Sequence, residues 1–136
     1  MLIVKNCNYK YKVIILNLII KCYNETIFTE RIKMYRLYLT TVQNKKDAQA
    51  IAKELLRYKA AACVNIVDKI SSLYMWKNKV CIDDECLMII KSREDLFEKV
   101  QKIVLTLHKY DLPELIEIPI TNGFEDYLGW IDESVG

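Results

Sequence analysis

The sequence has little glycine, proline or histidine: 136 residues include three glycines, two prolines and one histidine. So few glycines exclude a glycine-rich phosphate-binding loop of the usual kind. The scarcity of glycine and proline together excludes a collagen-like or linker-rich chain. The five cysteines are odd in number and contain no Cys-x-x-Cys spacing. This argues against a disulfide framework or a closed zinc site and favours a reducing compartment.

Neither charge sign is in large excess, and no apolar run is long enough to span a membrane. Lys and Arg total 20 and Asp and Glu total 18, which gives no strongly basic field for nucleic acid. The apolar segment at residues 13–20 is far shorter than the ~20 residues of a transmembrane helix. The chain is therefore predicted to have neither a nucleic-acid partner nor a membrane span, while its 52% hydrophobic content suffices for one buried core.

The composition changes at Met34. Residues 1–33 carry six basic and two acidic side chains, and Ile, Lys, Asn and Tyr supply 19 of the 33. We interpret residues 1–33 as a dispensable N-terminal extension or leader and residues 34–136 as the folded domain. A working start at Met34, a targeting leader and an ordered extra strand remain open for the first segment. We expect a cytoplasmic protein, or an organellar or secreted one if residues 1–33 act as a leader.

The first element after Met34 is predicted to be a strand at residues 36–41, because it is short and rich in strand formers. Asn44 then begins a helix as its N-cap, with Asp47 near the positive end of the helix dipole. The helix should end near Tyr58, and its apolar side chains recur with helical spacing: Ala48, Ile51, Ala52, Leu55 and Leu56.

Residues 63–91 are predicted to form one long β-hairpin. Lys77 and Asn78 make a two-residue turn, since Asn tolerates positive φ. A bend is expected near residues 68–69, and Asp83 to Glu85 are interpreted as a solvated bulge. Arms of this length exceed the usual ~5–6 residues of a strand and leave edges for a partner chain.

The remaining segment completes an α+β pattern. Ser92 and Asp95 have the spacing of a capping box for a helix that continues to about His108. A strand follows at residues 115–120, with Pro119 suited to a sheet edge, and a last helix lies at residues 124–135. The order β-α-β-β-α-β predicts a ferredoxin-like plait with an extra C-terminal helix and a long hairpin between its second and third strands.

Five blocks of sequence, in order and at matching spacing, resemble the CutA family of divalent-cation tolerance proteins. The resemblance covers about residues 35–135 and implies a ferredoxin-like homotrimer associated with copper and other divalent cations. The resemblance implies no required cofactor. The blocks are Ala61–Ile66, Ser72–Trp76, Met88–Ser92, His108–Leu115 and Asp126–Trp130.

Only one of the metal ligands of bacterial relatives has a counterpart in this sequence. Those relatives carry a Cys late in the first strand and a pair of His before a Pro-Tyr step. Here Thr40 takes the Cys position, Leu107 and His108 take the His positions, and Lys109 replaces the Pro. The resemblance therefore implies one metal-contacting residue, His108, and weak binding of Cu²⁺.

Each chemical candidate also has a structural interpretation. His108, at the end of the second helix, suits either a capping role or metal contact, for which Asp111 and Glu114 could add oxygen ligands. Cys63 suits a buried strand position better than a soft metal ligand. Cys81 and Cys86 differ by an odd number and should face opposite sides of a regular strand. Five aromatic residues suit core or interface packing, or a cleft between subunits: Tyr74, Trp76, Tyr110, Tyr127 and Trp130.

Three functions compete. The first is a homotrimeric copper or divalent-cation tolerance protein held together by residues 63–91. The second is a trimeric scaffold or small-molecule-binding module similar to PII-type signalling proteins, although two turn residues leave no room for the long loop that those proteins use. The third is an enzyme, which is disfavoured because residues 42–45 contain neither Arg nor Gly for an anion cradle and the chain has one imidazole.

Overall fold

A computed structural model describes residues 35–136, and the predictions for residues 1–33 lie outside this range. The described chain is an α+β unit. Its elements are β1 Tyr35–Val42, α1 Lys45–Arg57, β2 Cys63–Trp76, β3 Lys79–Arg93, a 3₁₀ turn Glu94–Leu96, α2 Phe97–Leu107, β4 Ile116–Pro119 and α3 Glu125–Ser134.

The four strands form one antiparallel sheet in the order β2-β3-β1-β4. This order, with two helical crossovers, is the ferredoxin-like plait predicted from the sequence. Strand β4 lies at an edge, which accommodates Pro119 because an edge strand loses no essential ladder bond there.

Two local signals in the sequence act as predicted. The Asn44 side chain accepts a hydrogen bond from the Asp47 N–H at 3.0 Å and so caps α1. Lys77 and Asn78 both have positive φ, 48° and 63°, as a two-residue hairpin turn with the right-handed twist of its strands requires. These contacts fix where α1 begins and where β2 reverses into β3.

The hydrophobic core lies between the two crossover helices and one face of the sheet. Alternate residues of the central strands point into it, and helices α1 and α2 cover them. We call this the helix-covered face and the other side the open face. The main core residues are Tyr38, Val42, Ala48, Ile51, Leu55, Met88, Ile90, Val100 and Val104.

Two predictions about the helices are wrong. Leu56 is exposed because the apolar stripe of α1 is narrower than its sequence spacing indicated. Ser92 does not cap a helix, since its hydroxyl donates to the Ala60 carbonyl oxygen at 2.6 Å and the cap position, Arg93, has no side-chain cap bond. The requirement to satisfy a buried hydroxyl outweighs the capping pattern here.

The hairpin irregularity lies on β2 and not on β3. Val67 pairs with Leu87 and Ile70 with Glu85, so two β2 residues stand opposite Cys86 alone. The predicted bend near residues 68–69 is thus a bulge, with Lys69 at φ 58°. Asp83 to Glu85 remain regularly paired, which corrects their interpretation as a bulge.

Candidate functional site

His108 is the C-cap residue of α2 and is half-buried beside the end of β1. Its Nε2 lies 2.9 Å from the carbonyl oxygen of Thr41, and its Nδ1 accepts a hydrogen bond from the Tyr110 N–H at 3.2 Å. Because a carbonyl oxygen can only accept, the Nε2 carries the proton in this arrangement. The ring is held in one tautomer and fastens the segment after α2 to β1.

Tyr110 extends this connection to the hairpin. Its hydroxyl donates to Glu85 Oε1 at 2.8 Å, and its ring centroid lies 5.0 Å from that of His108. Glu85 is only 8% exposed, so this bond satisfies a buried carboxylate. Burial, and then the bond to Glu85, raise the pKa of Tyr110 and keep it a donor. We call this connected set, Thr41, His108, Tyr110 and Glu85, the His108 clasp.

A second tyrosine–carboxylate pair lies next to the clasp on the hairpin. The Tyr74 hydroxyl donates to Asp83 Oδ2, and this bond raises the pKa of Tyr74 to about 12. The carboxylate of Asp83 also helps to raise the pKa of Tyr110. The strand register puts Asp83 and Glu85 on the open face of β3. Two tyrosines and two carboxylates thus share one side of the hairpin.

The other positions expected to ligate metal in the family do not offer suitable donors. Thr40 is fully buried on the helix-covered face, and its hydroxyl donates to the Glu114 carbonyl oxygen at 2.7 Å. Leu107 is partly exposed and apolar. The Lys109 ammonium lies 2.7 Å from Asp47 Oδ1. Neither of the two expected ligand positions, Thr40 and Leu107, supplies an imidazole or thiolate beside His108, and Lys109 stands where relatives have Pro.

The described cysteines are separated along the hairpin. Cys63 and Cys81 are half-buried and Cys86 is buried. The regular pairing of β3 places Cys81 and Cys86 on opposite faces. The Cys86 thiol donates to Asp68 Oδ1 at 3.1 Å, and burial raises its pKa, so it stays a thiol.

The donors around His108 in the described chain do not form a closed metal site. Asp111 is exposed, and Glu114 is engaged through its carbonyl oxygen by Thr40. Within residues 35–136, no group of three or more His, Cys, Asp or Glu side chains is arranged to hold a metal ion. A metal binding at the Nδ1 of His108 would have to displace the Tyr110 N–H.

The open face of the sheet is strongly apolar although α1 and α2 lie on the other side. Cross-strand pairing puts Leu37 beside Ile118 and Leu39 beside both Ile116 and Ile89. Ile116 and Ile118 are exposed. Central strands that are apolar on both faces are typical of sheets buried on both sides.

The outer half of the hairpin projects as a two-stranded arm. Strand β1 pairs with β3 only from Cys86 to Arg93, so residues 79–85 pair with β2 alone. Both sides of this arm carry exposed apolar side chains. Leu73, Met75, Val80 and Ile82 are 65–68% exposed on one side, and Tyr74 and Trp76 are exposed on the other.

Helix α3 packs at the end of the sheet that lies opposite the projecting arm. Asp132 accepts hydrogen bonds from the Tyr35 hydroxyl at 2.7 Å and from Arg93 Nη1 at 3.3 Å. The rings of Tyr127 and Trp130 are 5.3 Å apart, and both remain exposed. Among the five aromatic candidates, only Tyr110 is tied into the His108 clasp.

Sequence reasoning missed Glu85 and the Thr41 carbonyl as members of the site. Glu85 belongs to a run of three acidic residues that was interpreted as solvated, yet the side chain is buried. The contacts join residues 25 and 67 positions apart. The place of Glu85 at the end of the acidic run, directly before Cys86 and Leu87, is the one signal of burial in the sequence.

The profile described as "CutA1 divalent ion tolerance protein" matches residues 36–134. The divalent-cation tolerance protein CutA of Thermus thermophilus is 39% identical over 103 residues, which are 76% of this chain and all of that protein. The chloroplastic protein CutA of Arabidopsis thaliana is 45% identical over 94 residues, 69% of this chain. The chain spans about half of that plant protein's length, 52%.

Solved structures agree with these sequence matches. The crystal structure of CutA1 from Oryza sativa superimposes with a TM-score of 0.75 at 40% identity, over 76% of this chain and 95% of that one. No helix within residues 35–136 is long and apolar enough to cross a membrane. The sequence blocks, the plait topology and these matches agree, and the chain belongs to the CutA1 family of divalent ion tolerance proteins.

Proposed function

We propose that this protein is a homotrimeric divalent-cation tolerance protein that assembles through its hairpin, residues 63–91, and binds Cu²⁺ weakly. The observation that supports assembly is the projecting arm, whose apolar side chains are about two-thirds exposed in the single chain. A soluble monomer rarely keeps so large a contiguous apolar surface in water. A second copy of the chain is the partner that would cover it.

The sheet edges favour a closed ring over an open pair. Strand β2 is 14 residues long and β4 ends the other side of the sheet, so both edges offer unpaired backbone groups. A cyclic trimer would cover a sheet edge in every subunit and leave no free edge to which further subunits could add. The apolar open face, with Leu37, Leu39 and Ile89 at its centre, would then lie inside the assembly.

The proposed metal contact rests on His108, the one imidazole in the sequence. Both of its ring nitrogens already have hydrogen-bond partners in the chain. Binding therefore costs the bond to the Tyr110 N–H, and we expect a dissociation constant in the micromolar range or weaker, about −8 kcal/mol or less in magnitude. Three subunits supply three copies of His108, so a cation could be shared at an interface.

The alternative is a trimeric scaffold or small-molecule-binding module without a metal role, akin to PII-type signalling proteins. The two-residue turn at Lys77 and Asn78 argues against the long-loop mechanism of those proteins. We propose no enzymatic activity, because the sole imidazole is engaged by two backbone groups. We propose a cytoplasmic location, with an organellar or secreted destination as the alternative if residues 1–33 serve as a leader.

Calorimetric titration of the full chain with Cu²⁺, without a histidine tag, distinguishes the two functions. We expect weak binding that His108→Ala removes while the oligomer mass stays the same. Binding should also weaken in acid, because protons compete for the imidazole nitrogen. Equal binding by both proteins would place the metal elsewhere, with Cys63 and Cys81 next to test. No binding by the wild type would favour the scaffold.

A further inference from the structure

The charge of the folded unit is divided between its two crossover helices and the rest of the chain, although the sum is small. Residues 43–60 and 97–109, which contain α1, α2 and their ends, carry eight basic and three acidic side chains. The rest of residues 34–136 carries six basic and thirteen acidic ones. The helices therefore have a net charge of +5 and the remainder a net charge of −7. A separation of this kind orients a protein toward a charged partner.

The positive charge of the helices lies on the side that faces away from the core. Helix α1 buries Ile51 and Leu55, and helical periodicity places Lys46 and Lys53 on its far side. Lys102 has the equivalent position on α2. All three lysines are exposed. We call Lys46, Lys53 and Lys102 the basic helix surface.

Ion pairs within the helices leave this charge in excess. The Lys109 ammonium lies 2.7 Å from Asp47 Oδ1, and the Arg57 guanidinium lies 2.5 Å from Glu54 Oε2. Each pair engages one charge of each sign, so neither compensates the three lysines of the basic helix surface. The contact of Lys109 with Asp47 also joins the end of α2 to the start of α1. The two helices therefore present one continuous basic surface.

Exposed leucines lie beside the lysines of this surface. Leu105 is three residues beyond Lys102 on α2 and is 46% exposed. Leu56, three residues beyond Lys53 on α1, is exposed to the same extent. A spacing of three residues makes each leucine a neighbour of its lysine on the helix surface. Lysines accompanied by exposed leucines are typical of helices that lie in the plane of a membrane surface.

The side chains of the helices favour lipid over nucleic acid as the source of negative charge. Recognition of nucleic acid uses the planar fork of Arg and the stacking of bases on aromatic rings. The one arginine of α1, Arg57, is paired with Glu54 and lies 4.1 Å from the ring centroid of Tyr58, so both groups are engaged with each other. A flat bilayer also meets one side of the protein only. It would contact the helices without approaching the exposed acids Asp83 and Asp84 on the arm.

We propose that the basic helix surface docks the protein on an anionic lipid bilayer, with Lys46, Lys53 and Lys102 among the phospholipid headgroups and Leu105 inserted beside them. The inference goes beyond the proposed function, because it gives the protein a place of action at a membrane surface. It does not depend on metal binding. The helices lie on the other side of the sheet from the open face, so the proposed assembly would leave them accessible.

Flotation of the full chain with lipid vesicles tests the docking. The vesicles contain phosphatidylcholine alone or with about one-third phosphatidylglycerol, at low ionic strength where screening is weak. The test variant is Lys53→Glu with Lys102→Glu. The control is Lys77→Glu with Lys79→Glu, which makes the same change in net charge at exposed positions of the hairpin. Residues 1–33 are identical in all three proteins, so their basic side chains contribute equally to binding.

We expect the wild type to bind the anionic vesicles and not the neutral ones, because each lysine near an anionic surface adds to the attraction. The test variant should bind at least tenfold more weakly, and the control should resemble the wild type. Equal binding by the test variant and the wild type would overturn the inference. Equal losses in the test variant and the control would overturn it too, since net charge and not its location would then decide. Light scattering of each protein reports separately on the proposed trimer.

Leu105→Ala separates insertion from charge. It should weaken binding to the anionic vesicles several-fold, because it removes apolar carbon from the bilayer without changing the net charge. Thr106→Ala is the control at the neighbouring exposed position, where the hydroxyl donates to the Lys102 carbonyl oxygen at 2.6 Å. Equal binding by Leu105→Ala and the wild type would contradict the inserted leucine.

Competition with mixed-sequence duplex DNA tests the choice of lipid, because DNA also presents a dense array of phosphates. We expect DNA, added at a phosphate concentration equal to that of the anionic lipid, to leave the protein on the vesicles. Complete displacement of the wild type, by DNA that the test variant does not bind, would overturn the lipid assignment and favour nucleic acid as the partner of the same surface.

Discussion

The Nε2 of His108 lies 2.9 Å from the carbonyl oxygen of Thr41, so the sole imidazole of the chain joins the end of α2 to the end of β1. Through Tyr110 the same ring is connected to Glu85 at the base of the projecting arm. The residue with the best chemistry for a metal is therefore also a structural link. We therefore expect substitution of His108 to affect stability as well as any metal binding, so the two must be measured separately.

Replacing His108 by Ala should lower the free energy of unfolding by about 1–3 kcal/mol, because the Thr41 carbonyl and the Tyr110 N–H both lose their partner. His108→Gln is the matched control. Its amide N–H can still donate to Thr41, so we expect a smaller loss. Urea unfolding at neutral pH measures both variants. Identical stability of His108→Ala and the wild type would show that the clasp does not hold this segment.

Tyr110→Phe should also lower the free energy of unfolding by about 1–3 kcal/mol, because it leaves the buried carboxylate of Glu85 without its donor. Tyr74→Phe is a control of the same chemistry. It removes a tyrosine–carboxylate bond on the exposed arm, where water can replace the donor. Equal losses in the two variants would contradict the burial argument, as measured by urea unfolding of each protein.

The pKa of Tyr74, raised to about 12 by its bond to Asp83, predicts a loss of stability in strong alkali. From the ordinary pKa of 10 up to about 12, the unfolded chain releases a proton that the folded chain retains. The free energy of unfolding must therefore fall as pH rises through this window. Below a pH of about 10, the contribution of Tyr74 to the free energy of unfolding is fully present.

Phenolate absorbance during alkaline titration tests the cause of this shift. Asp83→Asn should return the pKa of Tyr74 toward its ordinary value, since the hydrogen bond to that carboxylate is the largest contribution. Asp84→Asn is the matched control, because strand alternation turns Asp84 to the other side of β3. Equal effects of the two substitutions would mean that general charge, and not the bond, raises the pKa.

Local sequence signals predicted most of the fold. Asn44 and the Lys77–Asn78 turn act within a few residues of themselves, so their geometry follows from residue type. Errors arose where a distant contact decided the outcome. Ser92 was expected to cap a helix, but its hydroxyl bonds the Ala60 carbonyl, 32 residues away.

The candidate site was less predictable for the same reason. The sequence singles out His108 as its one imidazole, but the partners of that ring include a backbone carbonyl on β1 that no sequence pattern marks. Glu85 was interpreted as solvated, although the loop after α2 brings Tyr110 over it. The strand register is a further feature that the sequence does not reveal. The bulge lies on β2, where two residues stand opposite Cys86 of β3. These features depend on tertiary placement.

A chain that begins at Met34 should keep the melting temperature and oligomer mass of the full chain. The reason is that residues 34–136 contain all four strands of the plait and the match to the family covers residues 36–134. Calorimetry and light scattering of the two proteins provide the comparison. An insoluble short chain, or one that melts much lower, would assign residues 1–33 a structural role.

Light scattering of the full chain at low micromolar concentration tests the central claim of trimeric assembly most directly. The account predicts a particle of three times the 16.0 kDa subunit mass, because the arm and the open sheet face are apolar in the single chain. A particle of 16.0 kDa at that dilution would contradict it.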